Sequence, residues 1–521
     1  VRLEARDVSE GSFLLEFPDS SDHEGNGAAI AIAARLSARR PRGLLDAIPG
    51  AKTLFILFDP RTVDRDALLR KVRRAVEETA AALPESRLFR IPVAYGADNG
   101  PDFAALARDR GLDAEELVRR HTAAEYRVAF LGFSPGFAYL TGLPPGLHAP
   151  RRESPRPRVP AGSVAIGGEY TAVYPAESPG GWRLIGRSPV RLFDPFAEPP
   201  ALFRPGDRVR FESIDAEELE RRFAAGASRE PPEVVEGDPV FAAIASGLFT
   251  TVQGAPRFGL GSCGVPAGGA MDPTALERGN AIVGNRSAAA ALEISLSGPE
   301  LRALDDAVVC VSGADLGALW NGKSIDLDAP FEVRAGDHIA FRYARRGVRA
   351  YLCVREGLVE RLPAEPVRRL ARGDVVSRAR LVRRAGTATP PPAVDLPQNA
   401  PLVLRVLPGP QSGFFRAAAD TFYSGTYRVS PESDRRGIRL DGPAVELHRP
   451  PDIPPEGTAL GAIQIPASGL PIVLGPDRPV TGGYAKIATV VARDWPLLAQ
   501  SPPGTAIRFK VISLEEAMEE L

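Results

Sequence analysis

One short signature returns three times and narrows what this chain can become. Pro205-Gly-Asp-Arg-Val-Arg-Phe211, Ala335-Gly-Asp-His-Ile-Ala-Phe341 and Pro503-Gly-Thr-Ala-Ile-Arg-Phe509 each set a glycine turn ahead of alternating apolar residues. Glycine provides the turn, and a period of two points every second side chain toward a core. A Gly-Gly-aromatic triplet precedes the first and third copies, as Gly180-Gly181-Trp182 and Gly482-Gly483-Tyr484. The repetition predicts similar β modules at the ends of the front and rear halves. From Ala124 to about Ile214, and again from Gly247 onward, short strands are divided by Gly and Pro. That texture favours barrels or sandwiches over a parallel sheet.

At about 150 residues per domain, the 521-residue chain divides into three or four units. Residues 1–95 alternate helix and strand signals and read as a small α+β domain. Within it, Ala28 to Arg39 is helix-prone, Thr53 to Phe58 suits a buried strand, and a helix from Asp64 aligns Leu68, Leu69, Val72, Val76 and Ala80 before Pro84 closes it. Residues 96–214 follow the strand Leu88 to Tyr95 with two short helices, the second capped by Asp113 with Glu116 three residues on, and then a β barrel. Residues 215–246 read as a helix stopped by Gly226 and a linker from Ser228 to Pro239. Two further β domains, 247–388 and 398–521, flank Thr389-Pro390-Pro391-Pro392. The predicted class is α+β and β-rich.

Charge removes several functions. With 64 basic and 65 acidic side chains the net charge is -1, which argues against nucleic acid or anionic membrane as a partner. Three Cys and five His are too scattered for a structural zinc site. The first residues carry no apolar signal segment, and no stretch approaches the roughly 18 apolar residues of a membrane span, so a cytoplasmic protein is expected.

Two motif matches fail on mechanism, and one motif is absent. Gly317-Ala-Leu-Trp-Asn-Gly322-Lys323-Ser324 fits the P-loop pattern, but Asn321-Gly322 is a hairpin turn and an alternating strand follows instead of a helix. Gly132-Phe133-Ser134-Pro135-Gly136 fits the nucleophile elbow, but Pro135 has no N–H for an oxyanion. With Met271 and Met518 the only methionines, there is no Met-Lys-Met site for covalent biotin.

Two dense regions remain. The first runs Gly132 to Leu140, Pro155 to Ser163 and Ser178 to Trp182. Its Gly-rich turns let N–H groups converge on an anion, and Arg156, Arg158 and Arg187 add forked donors for carboxylate or phosphate. Phe137, Tyr139 and Trp182 either stack on a planar ligand or fill a barrel core. The second region holds Gln253, Arg257, Gly264-Val265-Pro266, Met271-Asp272, Asn280, Asn285 and Glu293, then Ser433-Asp434-Arg435 and Asp477 to Tyr484. Asp272 and Asp477 suit a metal ion or a general base, or else a turn. His121 either titrates near neutrality or caps a helix end.

In this order the two regions resemble the KipI and KipA families fused in one chain. The KipI likeness rests on Ile91-Pro92-Val93, His121, Gly132 to Leu140, Pro155-Arg156, Val159 to Ser163 and Ser178 to Arg187. The KipA likeness rests on Thr251-Val252-Gln253, Gly264-Val265-Pro266, Met271-Asp272, Val283-Gly284-Asn285, Leu292-Glu293, Gly298-Pro299, Ser433-Asp434-Arg435, Gln464 and Thr481-Gly482-Gly483-Tyr484. Four features depart from the KipA pattern: Gln253-Gly254-Ala255-Pro256-Arg257 stands where KipA chains read Gln-Asp-x-Gly-Arg, the Gly-Ser-x-Ser-Thr loop after Tyr351 is missing, Arg355 to Gly373 is shortened, and Val480 replaces a Thr.

The resemblance implies an N-terminal α+β domain followed by cyclophilin-like β-barrels. It implies an ATP-dependent 5-oxoprolinase component working with a separate lactam-opening subunit, with ATP and Mg²⁺ as cofactors. The same families supply the carboxyltransferase portion of urea carboxylase, and KipI-like proteins also inhibit a histidine kinase. Expected partners are therefore a small anionic substrate, the lactam-opening subunit, a histidine kinase under the regulatory reading, and a second copy of the chain in a homo-oligomer. His121, Asp272, Arg435 and Asp477 are the candidate catalytic residues, and Asp272 and Asp477 the candidate metal ligands. Candidate substrate or nucleotide contacts are Phe137, Tyr139, Arg156, Arg158, Ser163, Gly180, Gly181, Trp182 and Arg187 in front. Behind, they are Gln253, Arg257, Gln464, Thr481, Gly482, Gly483 and Tyr484. The corners of both halves are expected to converge on one pocket.

Overall fold

A computed structural model of the chain describes residues 2–79, 86–226, 237–360, 364, 367–379, 389–396, 400–415, 418–447 and 450–520. The expected closure at Pro84 and the linker residues 227–236 lie outside the described residues. All three signature glycines adopt the left-handed conformation, with φ of 96° at Gly206, 94° at Gly336 and 88° at Gly504. Glycine alone takes these values without a Cβ penalty. Behind each turn the alternating residues go inside: Val209 and Phe211, Ile339 and Phe341, Ile507 and Phe509 are all buried.

The front domain is an antiparallel sheet in spatial order Glu4–Ser9, Ser12–Glu16, Thr53–Phe58, Leu44–Pro49. Helices Asp22–Ala38 and Arg65–Thr79 pack their apolar sides on it through Ile32, Leu36, Leu68 and Val72. The first helix begins at a reciprocal cap between Ser21 and Glu24, ahead of the alanine-rich run that announced it. The sheet's other face carries Leu14, Ile48 and Phe55, which share a core with Ala459, Leu474 and Val480 of the rear half. Gly457 sits so close to this face that a Cβ there would collide with the Phe55 side chain.

The signature's first and last copies end the two closed barrels. The front barrel comprises Leu88–Tyr95, Tyr126–Leu131, Ala138–Thr141, Ser163–Gly167, Tyr170–Val173, Arg183–Arg187 and Arg208–Ser213. The rear barrel comprises Leu402–Pro408, Tyr427–Val429, Gly437–Asp441, Ala462–Gln464, Ile472–Leu474, Lys486–Val490 and Ala506–Val511. In each, the first and last strands pair in parallel and the other pairs are antiparallel. Each also has a two-stranded ribbon, Arg156–Val159 with Ser178–Gly180 and Asp452–Gly457 with Thr481–Tyr484. The Gly-Gly-aromatic triplets fall at these ribbons. The front and rear halves do end in similar modules.

Between the barrels, a six-stranded and a five-stranded sheet enclose Phe241, Leu292, Ile294, Leu301, Val309 and Leu352. The strand Asp238–Ala245 is part of the six-stranded sheet and begins within the expected linker Ser228 to Pro239. Helix Pro273–Val283 covers the outer face of the five-stranded sheet, packing Ala275 and Leu276 near Cys310, Tyr351 and Cys353. The former P-loop match is the hairpin Leu319–Trp320 to Lys323–Ser324, turning through Asn321 and Gly322 at positive φ. The former elbow leads into the strand Ala138–Thr141. No described helix is long and apolar enough to cross a membrane.

Candidate functional site

The loop from Gly132 to Gly136 links the halves because its backbone has no room to move. Gly136 N–H donates to the Cys263 carbonyl at 2.9 Å. A Cβ on Gly132 would collide with Thr481 Oγ1, and one on Gly264 would lie 2.8 Å from the Ser134 carbonyl oxygen. Phe133, at φ 64°, is turned outward and more than a third exposed. With Ser134 and Pro135 it forms one wall of a cavity of about 640 Å³. Arg257 and Gly264 to Pro266 form the floor next to it, Ser295 and Arg349 come from the five-stranded sheet, and Ser430, Arg435, Asp477 and Arg478 come from the rear barrel.

Arg435 is held by four hydrogen bonds. Its Nε and Nη2 donate to the two Asp477 oxygens at 2.8 and 3.0 Å, Nη2 also donates to the Gly269 carbonyl at 2.7 Å, and Nη1 donates to Glu293 at 2.6 Å. Glu293, fully buried, further accepts the Met271 N–H and the Tyr351 hydroxyl, each at 2.7 Å. Burial disfavours the Arg435 charge, but Glu293 and Asp477 outweigh it and hold the guanidinium protonated above its ordinary range. Asp477 and Arg435 therefore do line the pocket, as an ion pair that shapes it.

Asp272 lies outside the pocket wall. It caps helix Pro273–Val283 by accepting the Ala275 N–H at 3.0 Å, and its other oxygen accepts Gln500 at 2.7 Å. Burial raises its pKa. With its oxygens occupied, and those of Asp477 held by Arg435, the two do not make the expected Mg²⁺ site. Among the described residues no group of three or more His, Cys, Asp or Glu is arranged for a metal.

The front candidates split apart. His121 is a core residue whose Nδ1 lies 2.8 Å from the Tyr95 hydroxyl and Nε2 3.1 Å from Thr171 Oγ1, with its ring stacked on Phe211. Burial lowers its pKa to about 3, so it is neutral, neither titrating near neutrality nor capping a helix as a cation. Phe137, Tyr139 and Trp182 fill a buried aromatic cluster, edge to face at 5.1 to 5.6 Å. Arg156 grips Asp102 with two hydrogen bonds of 2.8 and 2.9 Å, while Arg158 is exposed beside Glu177. Burial pushes the Asp102 carboxyl up, yet Arg156 and the Leu184 N–H outweigh that and hold it below its usual range. Arg187 donates to the Ala161 carbonyl and lies over the Phe223 ring. Ser163 is a buried strand residue, Gly180 is pressed against Tyr174, and Gly181 approaches Arg152.

In the rear half, Arg257 lines the cavity and Gln253 is buried against Thr251. Gln464 packs over Gly482, Thr481 braces Gly132, and Gly483 and Tyr484 continue the ribbon. Sequence reasoning missed Arg349, and it included Arg478 within the Asp477 to Tyr484 run without giving it a role. Arg349 follows Arg345-Arg346 by three residues, and Arg478 lies between Asp477 and Pro479, so neither stands out in sequence.

Two family models match the chain. One, described as carboxyltransferase domain, subdomain C and D, covers residues 3–203, and one described as carboxyltransferase domain, subdomain A and B, covers 263–511. The chain belongs to the carboxyltransferase-domain family. It is 51% identical over 169 residues to a 5-oxoprolinase subunit of Escherichia coli O157:H7, spanning 32% of this chain and 77% of that one. It is 32% identical over 283 residues to a different 5-oxoprolinase subunit, from Haemophilus influenzae, spanning 51% of this chain and 89% of that one. The crystal structure of TTHA0988 matches 97% of this carboxyltransferase-domain chain and 100% of its own, with a TM-score of 0.82 and 37% identity.

Proposed function

We propose that this chain fuses two components of an ATP-dependent 5-oxoprolinase and works with a separate lactam-opening subunit. The supporting observation is that the Phe133–Pro135 loop of the front half completes a cavity otherwise walled by the rear half. A pocket built from both halves gives a reason for sequences like two different 5-oxoprolinase subunits to be joined. The expected ligand is a small carboxylate-bearing amide. Arginine forks suit its carboxylate, and the apolar wall of Phe133, Pro135 and Val265 suits a compact ring. Arg435 acts as a positioning residue through Asp477 and Glu293. His121 and Asp272 stand outside the pocket lining and carry no proton-transfer role in this reading. ATP enters as co-substrate, and lactam opening belongs to the other protein.

The test is glutamate formation from 5-oxoproline and ATP by the full chain mixed with the separate lactam-opening subunit. Glutamate that depends on this chain is expected; none above background overturns the reading. A second reading, supported by the carboxyltransferase family models, is carboxyl transfer to urea or a similar amide with separate biotin-bearing chains. It predicts biotin-dependent carboxylation in place of glutamate release.

A further inference from the structure

Six arginines line the cavity, Arg257, Arg349, Arg369, Arg435, Arg436 and Arg478, against two aspartates, Asp434 and Asp477. Arg435 is shared between Asp477 and Glu293, so it is not free for a ligand. Of the others, Arg349 and Arg478 are each more than nine-tenths buried. Neither has a carboxylate within salt-bridge distance among the described residues. Arg478 donates Nε to the Thr458 carbonyl at 3.1 Å and Nη1 to the Gly475 carbonyl at 3.3 Å, and it lines both this cavity and a smaller one beside Asp46. Arg349 donates Nη1 to the Ala499 carbonyl, and its buried Nε has no partner. Burial lowers the pKa of both groups, of Arg478 to about 10, against the opposing pull of Glu293 on Arg349 and of Asp477 on Arg478.

A buried cation with only carbonyl partners is unfavourable until an anion completes it. Here there are two, on different bodies: Arg349 on the strand Arg346–Val354 of the five-stranded sheet, and Arg478 on the rear-barrel loop before Thr481. A single ligand carboxylate pairs directly with only one of them. We propose that Arg349 and Arg478 form a two-point oxyanion subsite that takes a ligand, or a substrate and co-substrate together, bearing two anionic groups. Each group is a carboxylate or a phosphoryl, the two shapes a guanidinium fork fits. The inference rests on the cavity being the substrate site. It deepens that reading, because 5-oxoproline alone supplies one carboxylate and the second anion must come from a co-substrate.

The experiment is isothermal titration of the full chain with four probes: acetate, 5-oxoproline, glutarate and pyrophosphate. Glutarate or pyrophosphate is expected to bind at least tenfold tighter than acetate, and the better of the two identifies dicarboxylate or phosphoryl chemistry. R349Q and R478Q are each expected to weaken that binding at least tenfold, with the exposed-pair variant R90Q unchanged. Should either glutamine variant fail to fold, phenylglyoxal labelling of the wild type gives the readout. The better dianion is expected to protect Arg349 and Arg478 and to leave Arg90 reactive. No preference for a dianion, unchanged binding in both glutamine variants, or protection mapped elsewhere overturns the subsite. Dianion binding lost on substitution in a chain that never supports glutamate formation keeps the subsite and removes the 5-oxoprolinase reading.

Discussion

Replacing Arg435 by Met tests how the pocket is held. The Arg435 side chain is 6% exposed and its partner Glu293 is fully buried. Met fills much of the same volume but leaves Glu293 with only the Met271 N–H and the Tyr351 hydroxyl. Asp477, at 17% side-chain exposure, can recover water, so most of the loss falls on Glu293. Removing one member of a buried ion pair costs about 3–5 kcal/mol, and R435M is expected in that range. E293Q removes the charge that Arg435 neutralises and is expected to cost about 2–4 kcal/mol, close to the loss of a buried charged hydrogen bond and its packing context. In the double variant neither charge is stranded, so the two losses do not add. Urea unfolding of wild type, both single variants and the double variant closes the cycle, with a coupling of at least about 2 kcal/mol expected. Additivity within about 0.5 kcal/mol would refute a network joining the five-stranded sheet to the rear barrel.

His121 has a folded pKa depressed from 6.5 to about 3, so its contribution to stability is complete above pH 6.5 and is lost as pH falls toward 3. Unfolding curves of wild type and His121→Phe across that window are expected to converge on acidification; parallel curves contradict a neutral buried imidazole. Gly132→Ala places a methyl group against Thr481 and is expected to cost about 1–3 kcal/mol, partly restored by adding Thr481→Ala, as read by thermal unfolding. Arg156→Gln strips two hydrogen bonds from the buried Asp102 and is expected to cost about 1–3 kcal/mol with KM for substrate unchanged. A raised KM would return Arg156 to the binding site.

Much of the architecture was legible because it depends on local chemistry. Gly206, Gly336 and Gly504 announce turns that only glycine makes cheaply, and the alternation behind them assigns a buried face without knowledge of the partner strand. Asn321-Gly322 decided between a hairpin and a phosphate loop for the same reason. The site was less legible because its pairings cross long stretches of chain. Arg156 looks free in sequence, yet Asp102 claims it; Phe137 and Trp182 look like a stacking platform, yet they pack on each other. Asp272 and Asp477 looked like metal ligands until their oxygens found Gln500 and Arg435. Arg257, Arg435 and Asp477 line the shared cavity, Arg435 and Asp477 as an ion pair. Arg349 and Arg478 make no salt bridge among the described residues, even though Asp477 directly precedes Arg478, and no linear pattern records that.

The most direct measurement is a crystal structure of the full chain with 5-oxoproline bound. The account predicts the ligand between the Phe133–Pro135 loop and the rear half, with its carboxylate on Arg478 or Arg349. A ligand seated in the front barrel beside Arg156 and Trp182, with the shared cavity empty, would contradict it.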